Sequence, residues 1–519
     1  MIDTAALREK VLDLAIRGKL VPQDPTDEPA SVLLERIHEQ KLQMVREGKL
    51  KAKDVKDDTI IFKGDDNCYY EKYSDGSVKN IQDEIPFELP DTWSWVRLGV
   101  IFSHNTGKAL KTSNTIGKKL TYITTSNLYW NSFVVESLKE MYFTESEIEK
   151  YTIRNGDLLV CEGGDIGRAA IWTFDYDMRI QNHIHKLRAY YPIETKLYYY
   201  TFYYYKLIGK INGNGIGIQG LSSNVLHNLI VPLPPIQEQT RITAVVNKCF
   251  LTANIIDENE KILQTDIEEL KSKILELAIQ GKLVPQDKND EPANVLLEHI
   301  RAERKAKLGK KYIESYIYKG DDNCYYEKVG TTVKNITDQI PFSIPQNWSF
   351  VRLKELAKVV SGVSYDKRDI CNDGIRIIRG GNISNLSIVL LPDDVFLPQK
   401  YYDNEKEVKT EDIVIVASTG SKIAIGRPAF ADKSFPQTQI GAFLRIVRPY
   451  VPNVYQYLKC LFASNYYREH ISDLVHGNTI NNIKTEYLDE FIIPFPPIRE
   501  QKEIANKVKI LMDILKGGD

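Results

Sequence analysis

Between residues 236 and 280, apolar positions recur with the 4-3 spacing of a helix seam: Ile242, Val246, Cys249, Ala253, Ile256, Leu263, Ile267, Leu270, Ile274 and Leu277, interrupted only at Glu260. The pattern predicts one long helix, about 65 Å from end to end. Gly281 is placed to cap it in the left-handed conformation, and Pro285 forbids continuation. Two other stretches carry halves of the same pattern. "AALREKVLDLAIRGKL" sets Leu7, Val11 and Leu14 where Leu270, Ile274 and Leu277 stand, and "IREQKEIANKVKILMDILK" sets Ile504, Val508 and Leu511 where Ile242, Val246 and Cys249 stand. The two ends are therefore expected to lie end to end, antiparallel to the long helix, in a pseudo-twofold arrangement with the termini close together.

Elsewhere the pattern changes period. Short apolar runs such as "DLLVCEG", "DIVIVAS", "IRIIRGGNI" and "AFLRIVRP" predict strands broken by Gly, Asn and Ser loops. These strands fall between segments that the chain writes twice. "LREKVLDLAIRGKLVPQDPTDEPASVLLERI" from Leu7 aligns without a gap on "LKSKILELAIQGKLVPQDKNDEPANVLLEHI" from Leu270. "FKGDDNCYYEK" and "YKGDDNCYYEK" follow, then "IPFELPDTWSWVRL" and "IPFSIPQNWSFVRL", and each half closes on "PLPPIQEQ" or "PFPPIREQ". A period this long excludes a solenoid and indicates a duplicated two-lobed protein. Between Leu98 and Ile230, and between Leu353 and Ile493, only a faint echo survives, "GDLLVCEGGDIGRAAIW" against "EDIVIVASTGSKIAIGRPAF". Near-identical segments that flank divergent ones point to one surface met twice and two different surfaces met once each.

The reading divides the chain into a repeated helical region and lead-in (1–84), a first divergent domain (85–233), the central repeated helix and lead-in (234–339), a second divergent domain (340–495) and a closing helix (496–519). After "PPIREQ" the chain runs only to Asp519, so the closing helix is short and the N-terminal segment is expected to complete the ring. The fold class is α+β, with two globular α/β domains separated by long antiparallel coiled-coil helices.

Composition narrows the function. A net charge of −2, with 27% charged and 43% hydrophobic residues, describes an ordinary globular protein, so any DNA-binding surface must be local. The six cysteines show no metal spacing, and "MIDTAALREK" is charged where a signal peptide needs an apolar run. A reduced, cytoplasmic protein with no membrane partner is expected, and no metal site.

Catalytic motifs are weak. "GIGIQG" from Gly215 satisfies G-x-G-x-x-G, but a tyrosine-dense helical segment precedes it and no acidic residue follows on a next strand. "PLPPI" and "PFPPI" lack the Asn or Asp and the aromatic of an amino-methyltransferase signature. "KGDDNC" lacks the alternating carboxylates of a calcium loop, and Asp65, Asp66 and Asn67 are read as a turn or a twice-used contact. Tyr198 to Tyr205 are read as a stripe packing a helix on a sheet.

Cues for nucleic acid gather in the divergent domains. No acidic residue occurs from Ser103 to Val135, where Lys108, Lys111, Thr112, Asn114, Lys118 and Lys119 offer phosphate and base contacts; Arg168, Asn214 and Gln219 extend the set. The second domain contributes Lys367, Arg368, Arg379, Asn382, Thr419, Ser421, Lys422, Asn478, Asn481 and Asn482 from Gly/Ser/Asn loops.

The duplicated "LAIRGKLVPQD" and "LAIQGKLVPQD", the two "IPF…W" motifs at Ile85 and Ile340, the two "PPI(Q/R)EQ" exits and the two unlike domains together resemble the specificity subunit of type I restriction-modification enzymes. The resemblance covers essentially the whole chain. It implies two target-recognition domains, each reading one half of a bipartite, asymmetric DNA sequence, with the helices setting the unread gap. It implies two modification subunits, carrying AdoMet for adenine N6 methylation, docked on the repeated helices, and restriction subunits that use ATP and Mg. The chain itself would be non-catalytic and without cofactor. Two alternatives stay open at this point: a two-seat protein scaffold that binds no DNA, and an enzyme with a site between its lobes.

Overall fold

A computed structural model describes residues 2–110, 115–211, 221–421, 423–476 and 482–517. The long helix runs Ile236–Ile279, 44 residues. Within this helix the chain divides into two units, Met1–Lys261 and Ile262–Asp519.

Each unit is organised around a knot in which three duplicated motifs meet. In the first, helix Thr4–Ile16 ends toward Gly18 at φ +68°, a backbone conformation that L side chains rarely adopt. Pro90 and Trp93 close over it so tightly that a Cβ on Gly18 would stand 2.5 Å from Pro90 Cγ and 3.0 Å from the Trp93 ring. Trp93 Nε1 donates to Glu238 Oε2 at 2.9 Å, and Gln23 Nε2 donates to the other oxygen of the same carboxylate. The second unit repeats the knot: Gly281 at φ +68°, Pro345 Cγ at 2.5 Å from its virtual Cβ, and Trp348 at 3.0 Å. Trp348 Nε1 donates to Glu500 Oε2 at 2.8 Å, with Gln286 on Oε1. Glu238 and Glu500 are buried, and burial pushes both carboxyls above their ordinary range despite the donors. The "GKLVPQD", "W" and "PPI(Q/R)EQ" motifs are thus three parts of one contact set.

Between the knots and the divergent domains lies a three-stranded sheet, Ile60–Lys63, Tyr69–Lys72 and Val78–Asn80, repeated as Ser315–Lys319, Tyr325–Val329 and Thr332–Asn335. "GDDN" is its turn in both copies, with Asn67 and Asn323 at φ 63°. Asp66 accepts from Cys68 N at 3.1 Å and from Tyr70 Oη at 2.8 Å, and Asp322 does the same for Cys324 and Tyr326. Glu71 fastens the sheet to strand Ser94–Arg97 by accepting from Arg97 Nε at 3.0 Å and Nη2 at 2.6 Å. Burial alone would push the Glu71 carboxyl up, but Arg97 and the Thr59 hydroxyl outweigh it and hold it below the usual range, as Arg97 and Lys79 do for Glu84. A carboxyl depressed in the folded state stabilises fully above its unfolded pKa, and this stabilisation is lost as pH falls through the folded value. The protection factors of strand Tyr69–Lys72, exchange rates corrected for the intrinsic rate at each pH, should therefore stay high at neutral pH and fall below about pH 4. In Glu71→Gln that acid step should shrink.

Each divergent domain is closed where it begins and ends. Ser94–Arg97 pairs antiparallel with Ile230–Leu233, and Ser349–Arg352 pairs with Ile492–Phe495. Inside, a four-stranded antiparallel sheet runs in the order Ala169–Ile171, Leu158–Cys161, Ile184–Ala189, Phe102–Thr106. The second domain has the same order in Pro428–Phe430, Ile413–Val416, Leu444–Pro449 and Ala357–Ser361. A second sheet joins Lys118–Ile123 to Met178–Ile180 in parallel, matched by Ile375–Ile378 with Thr438–Ile440. Two sequences that barely align therefore share the order of the four-stranded sheet and the parallel pair beside it, although the second sheet has four strands in the first domain and three in the second. The tyrosines of helix Thr195–Leu207 are core, as read: Tyr198, Tyr204 and Tyr205 are buried, with hydroxyls spent on Asp13 (Tyr204) and Ile230 O (Tyr205).

The seam needs correction. Ile242, Val246, Ala253, Ile267, Val11, Ile504 and Val508 are buried, and Leu14, Ile256, Ile274, Leu277 and Leu511 are half-buried. Leu7, Leu263 and Leu270 are instead exposed, Leu270 by 52%. The residues that pack are Leu275, Ala278 and Ile279, and at the same places of the first copy Leu12, Ala15 and Ile16. The reason is the partner. These helix ends press into the broad cores of their units, beside Trp348 or Trp93, and so bury a different stripe from that of a two-helix seam. Helix Thr4–Ile16 meets the central helix of its own unit through Arg8 to Asp257 at 2.6 Å. Helix Ile498–Lys516 shares one core with Leu275, Ala278 and Ile279. Leu270→Asp should consequently leave the unfolding free energy within about 0.5 kcal/mol of the parent, whereas Ala278→Asp, which buries a charge, should cost about 3 kcal/mol.

Candidate nucleic-acid interface

At one rim of each divergent domain, three stretches of backbone converge. In the first domain, Glu162 N donates to His183 O at 3.0 Å and Glu162 O accepts from Leu221 N at 3.0 Å. In the second, Ala417 N donates to Phe443 O at 2.8 Å and Ala417 O accepts from Ile483 N at 2.6 Å. The match extends outward: Gln181 N bonds Ile123 O as Gly441 N bonds Ile378 O, each at 2.9 Å, and Lys108 N bonds Ile180 O as Val363 N bonds Ile440 O, each at 2.9 Å. Gly167 (φ +79°) and Gly426 (φ +74°) bring the loop after the sheet strand back onto Ile211 and Ile471. Turn 181–183 therefore occupies the place of turn 441–443, and Glu162 that of Ala417.

A buried histidine pair supports the first rim. His185 Nε2 lies 2.6 Å from Leu221 O, and because a carbonyl only accepts, that nitrogen carries the proton. His185 Nδ1 is then the acceptor for His104 Nε2–H at 2.7 Å. Burial lowers both imidazoles, His104 to about 4 with a further push from His185, so the relay is neutral at physiological pH.

This equivalence sorts the residues chosen from sequence. Arg168 Nη2 donates to Thr125 O at 2.7 Å, and Arg427 Nη2 donates to Gly380 O at 3.1 Å in the same place. Asn382 is buried, accepting from Arg379 N and donating to Val389 O; Asn127 accepts from Thr124 N and donates to Val134 O. Such residues brace the fold in both domains and are not free to contact bases. Lys108 is buried too, its ammonium held by Glu147 Oε2 at 2.6 Å and Tyr142 O at 2.7 Å, so it does not reach a phosphate.

The remaining candidates are at the surface. Lys118 and Lys119 are exposed on strand Lys118–Ile123, facing Glu145 at 3.5 Å and Glu140 at 3.0 Å. Lys367 and Arg368 are exposed, with Arg368 on Asp366. Arg379 bonds Asp393 O and lies beside Gly441, its Cγ 4.0 Å from a Cβ built there. Thr419, Ser421 and Asn482 do come together at the second rim, where Ser418 bridges to Asn482. Lys111, Thr112, Asn114, Asn214, Gln219, Lys422, Asn478 and Asn481 lie outside the described residues, as does "GIGIQG". His183, 57% exposed, and Phe443, 65% exposed, also stand at the rims and are not among the residues that the sequence marks. The available signal was positional: each immediately precedes the sheet strand that the two domains share.

Among the described residues, no group of three His, Cys, Asp or Glu is placed to hold a metal ion, and no helix is long and apolar enough to cross a membrane.

The family model for the type I restriction modification DNA specificity domain matches residues 90–264 and again 345–517. The Escherichia coli type I restriction enzyme EcoAI specificity subunit is 26% identical over 582 aligned positions, covering 98% of this chain and 88% of that protein. The EcoEI specificity subunit, also from Escherichia coli, is 28% identical, covering 67% of this chain and 61% of its own. A chain solved in work on complex assembly and conformational transition of the type I R-M system shares the fold, with a TM-score of 0.53 at 18% identity, covering 83% of this chain and 93% of that one. With two copies of the family domain making up most of its length, the chain belongs to the specificity subunits of type I restriction-modification systems, the non-catalytic subunits that recognise DNA.

Proposed function

We propose that the two recognition domains each read one half of a bipartite, asymmetric double-stranded DNA target, and that the repeated helical regions held by the two knots dock two modification subunits. The observation that carries this is the contrast between skeleton and rim. The backbone bonds at the rims and the bracing bonds of Arg168 and Arg427 recur at equivalent places in the two domains, while the exposed rim side chains differ, which is what two readers of different sequences on one scaffold require. The knots coincide in every partner, which suits two identical proteins. On this reading, AdoMet for adenine methylation belongs to the modification subunits, ATP and Mg belong to restriction subunits that join the same complex, and this chain holds no cofactor. The assembly works in the cytoplasm, where the DNA is.

Coexpression with the neighbouring modification subunit in a methylation-free host, followed by single-molecule mapping of modified adenines, tests the proposal. A split motif with one methylated adenine on each strand is expected. Replacing segment 98–230 with that of a relative should then change one half of the motif only; a change in both halves refutes modular reading. Salt-sensitive DNA binding without any motif would refute specific recognition.

A further inference from the structure

We propose that turns 181–183 and 441–443 are the specificity-determining elements of the two domains, and that Phe443 reads a thymine methyl group in the half-site of the second. The proposal rests on the DNA-reading role above and names the residues that carry it.

Three observations converge. First, the turns are the same structural object with opposite chemistry: Gln181, Asn182 and His183 in one domain, Gly441, Ala442 and Phe443 in the other. Second, the turns are held firmly, so their side chains are presented at defined points. Ile184 N closes on Gln181 O at 3.0 Å and Leu444 N on Gly441 O at 2.9 Å, while the carbonyl of Phe443 takes amides from both Ala417 and Ser418. There is no slack beneath: a Cβ on Gly362 would stand 2.0 Å from Gly441 O, and one on Gly107 would stand 2.2 Å from Ile180 O. Third, Phe443 is 65% exposed although Gly441, at the start of its turn, and Leu444, directly after it, are buried. Arg379 lies beside Gly441 of the same turn, and Thr419, Ser421 and Asn482 flank or bridge Ser418, whose amide bonds Phe443 O: a cation, hydroxyls and an amide at the same rim.

Those groups at one rim match duplex DNA. Arg379 can neutralise a phosphate, but phosphates carry no sequence and a phenyl ring gains nothing from them. The one apolar feature on base edges in the major groove is the thymine C5 methyl. At the equivalent place in the first domain, His183 Nδ1 lies 3.6 Å from Glu162 Oε2, so that rim offers donors and a carboxylate acceptor; it reads by hydrogen bonds, the carboxylate suiting a cytosine amino group.

The test uses the full chain assembled with its modification subunits, and duplexes carrying the mapped target with each thymine of the second half-site replaced in turn by uracil, which lacks only the methyl. For the parent complex, one uracil should weaken binding about fourfold. F443A should bind the unmodified target about tenfold more weakly and be indifferent to that uracil, F443L should keep part of the sensitivity, and H183A should disturb only the other half-site. A parent complex with a split target and an F443A variant that binds and methylates it normally overturns this assignment alone. So does a second half-site without thymine, or equal damage to both half-sites. A parent complex with no split target overturns the functional reading and this assignment with it.

Discussion

Asp412→Ala is expected to cost the second unit about 3–5 kcal/mol, the largest single-residue loss anticipated here. Asp412 is fully buried. Its carboxylate accepts from Arg448 Nε and Nη2, each at 2.7 Å, and from Lys409 N at 2.7 Å. Removing it strands a guanidinium that is only 18% exposed, leaving it the carbonyls of Glu405 and Glu407. Breaking a buried pair from one side is costly because the surviving charge keeps its desolvation penalty and loses its partner. Hydrogen exchange of strands Ile413–Val416 and Leu444–Pro449 is the direct measurement, with faster exchange confined to this unit. The first domain holds the same device in Asp157 and Arg188, at 2.7 and 2.6 Å, but Arg188 is 39% exposed and water can rescue it. Asp157→Ala should therefore cost clearly less than Asp412→Ala. Equal losses would mean that solvent access at the arginine does not set the penalty.

Gly281→Ala is the second, with an expected loss of about 3 kcal/mol. Left-handed φ costs an L side chain roughly 1–2 kcal/mol, and forcing a methyl into a filled space costs typically about 1–3 kcal/mol. Both apply, because φ is +68° and the methyl would stand 2.5 Å from Pro345 Cγ, a ring atom that cannot swing aside. Gly18→Ala should behave alike against Pro90. A lowered unfolding midpoint is expected in both variants, each in the transition of its own unit, and the double variant should show both losses together. Gly48, also at positive φ but with nothing within 4 Å of its virtual Cβ, is the control: alanine there should show the backbone cost alone. Loss of the same size at Gly48 and Gly281 would remove the packing contribution.

Much of this architecture can be read before any coordinates. The helix Ile236–Ile279 follows from apolar periodicity, and its end follows from Gly281 and Pro285, because helix period and chain-terminating residues are local properties. The duplication, the tyrosine stripe as core and the "GDDN" turn are legible for the same reason. Even the faint echo between "GDLLVCEGGDIGRAAIW" and "EDIVIVASTGSKIAIGRPAF" has a physical content: it holds Asp157 and Asp412, Gly167 and Gly426, and Arg168 and Arg427, the buried braces of one sheet.

What the sequence misplaced are polar residues and partners. Lys108, Arg168 and Asn382 look like DNA ligands because a lysine, an arginine or an asparagine carries the same donors whether it faces a phosphate or a buried carbonyl. Only the position of Glu147, Thr125 or Val389, far away along the chain or around a turn, decides which. Leu270 looks like a seam residue because hydrophobicity states a preference for burial without naming the surface that provides it. By itself, then, the sequence determined the elements, their ends, the repeat and the segments that differ, since these depend on neighbours within a few turns or on direct comparison of the two halves. The tertiary structure alone decided which face of each helix is covered, which polar groups are spent internally, and that turns 181–183 and 441–443 stand at one equivalent place, because those facts are set by contacts between residues remote in sequence.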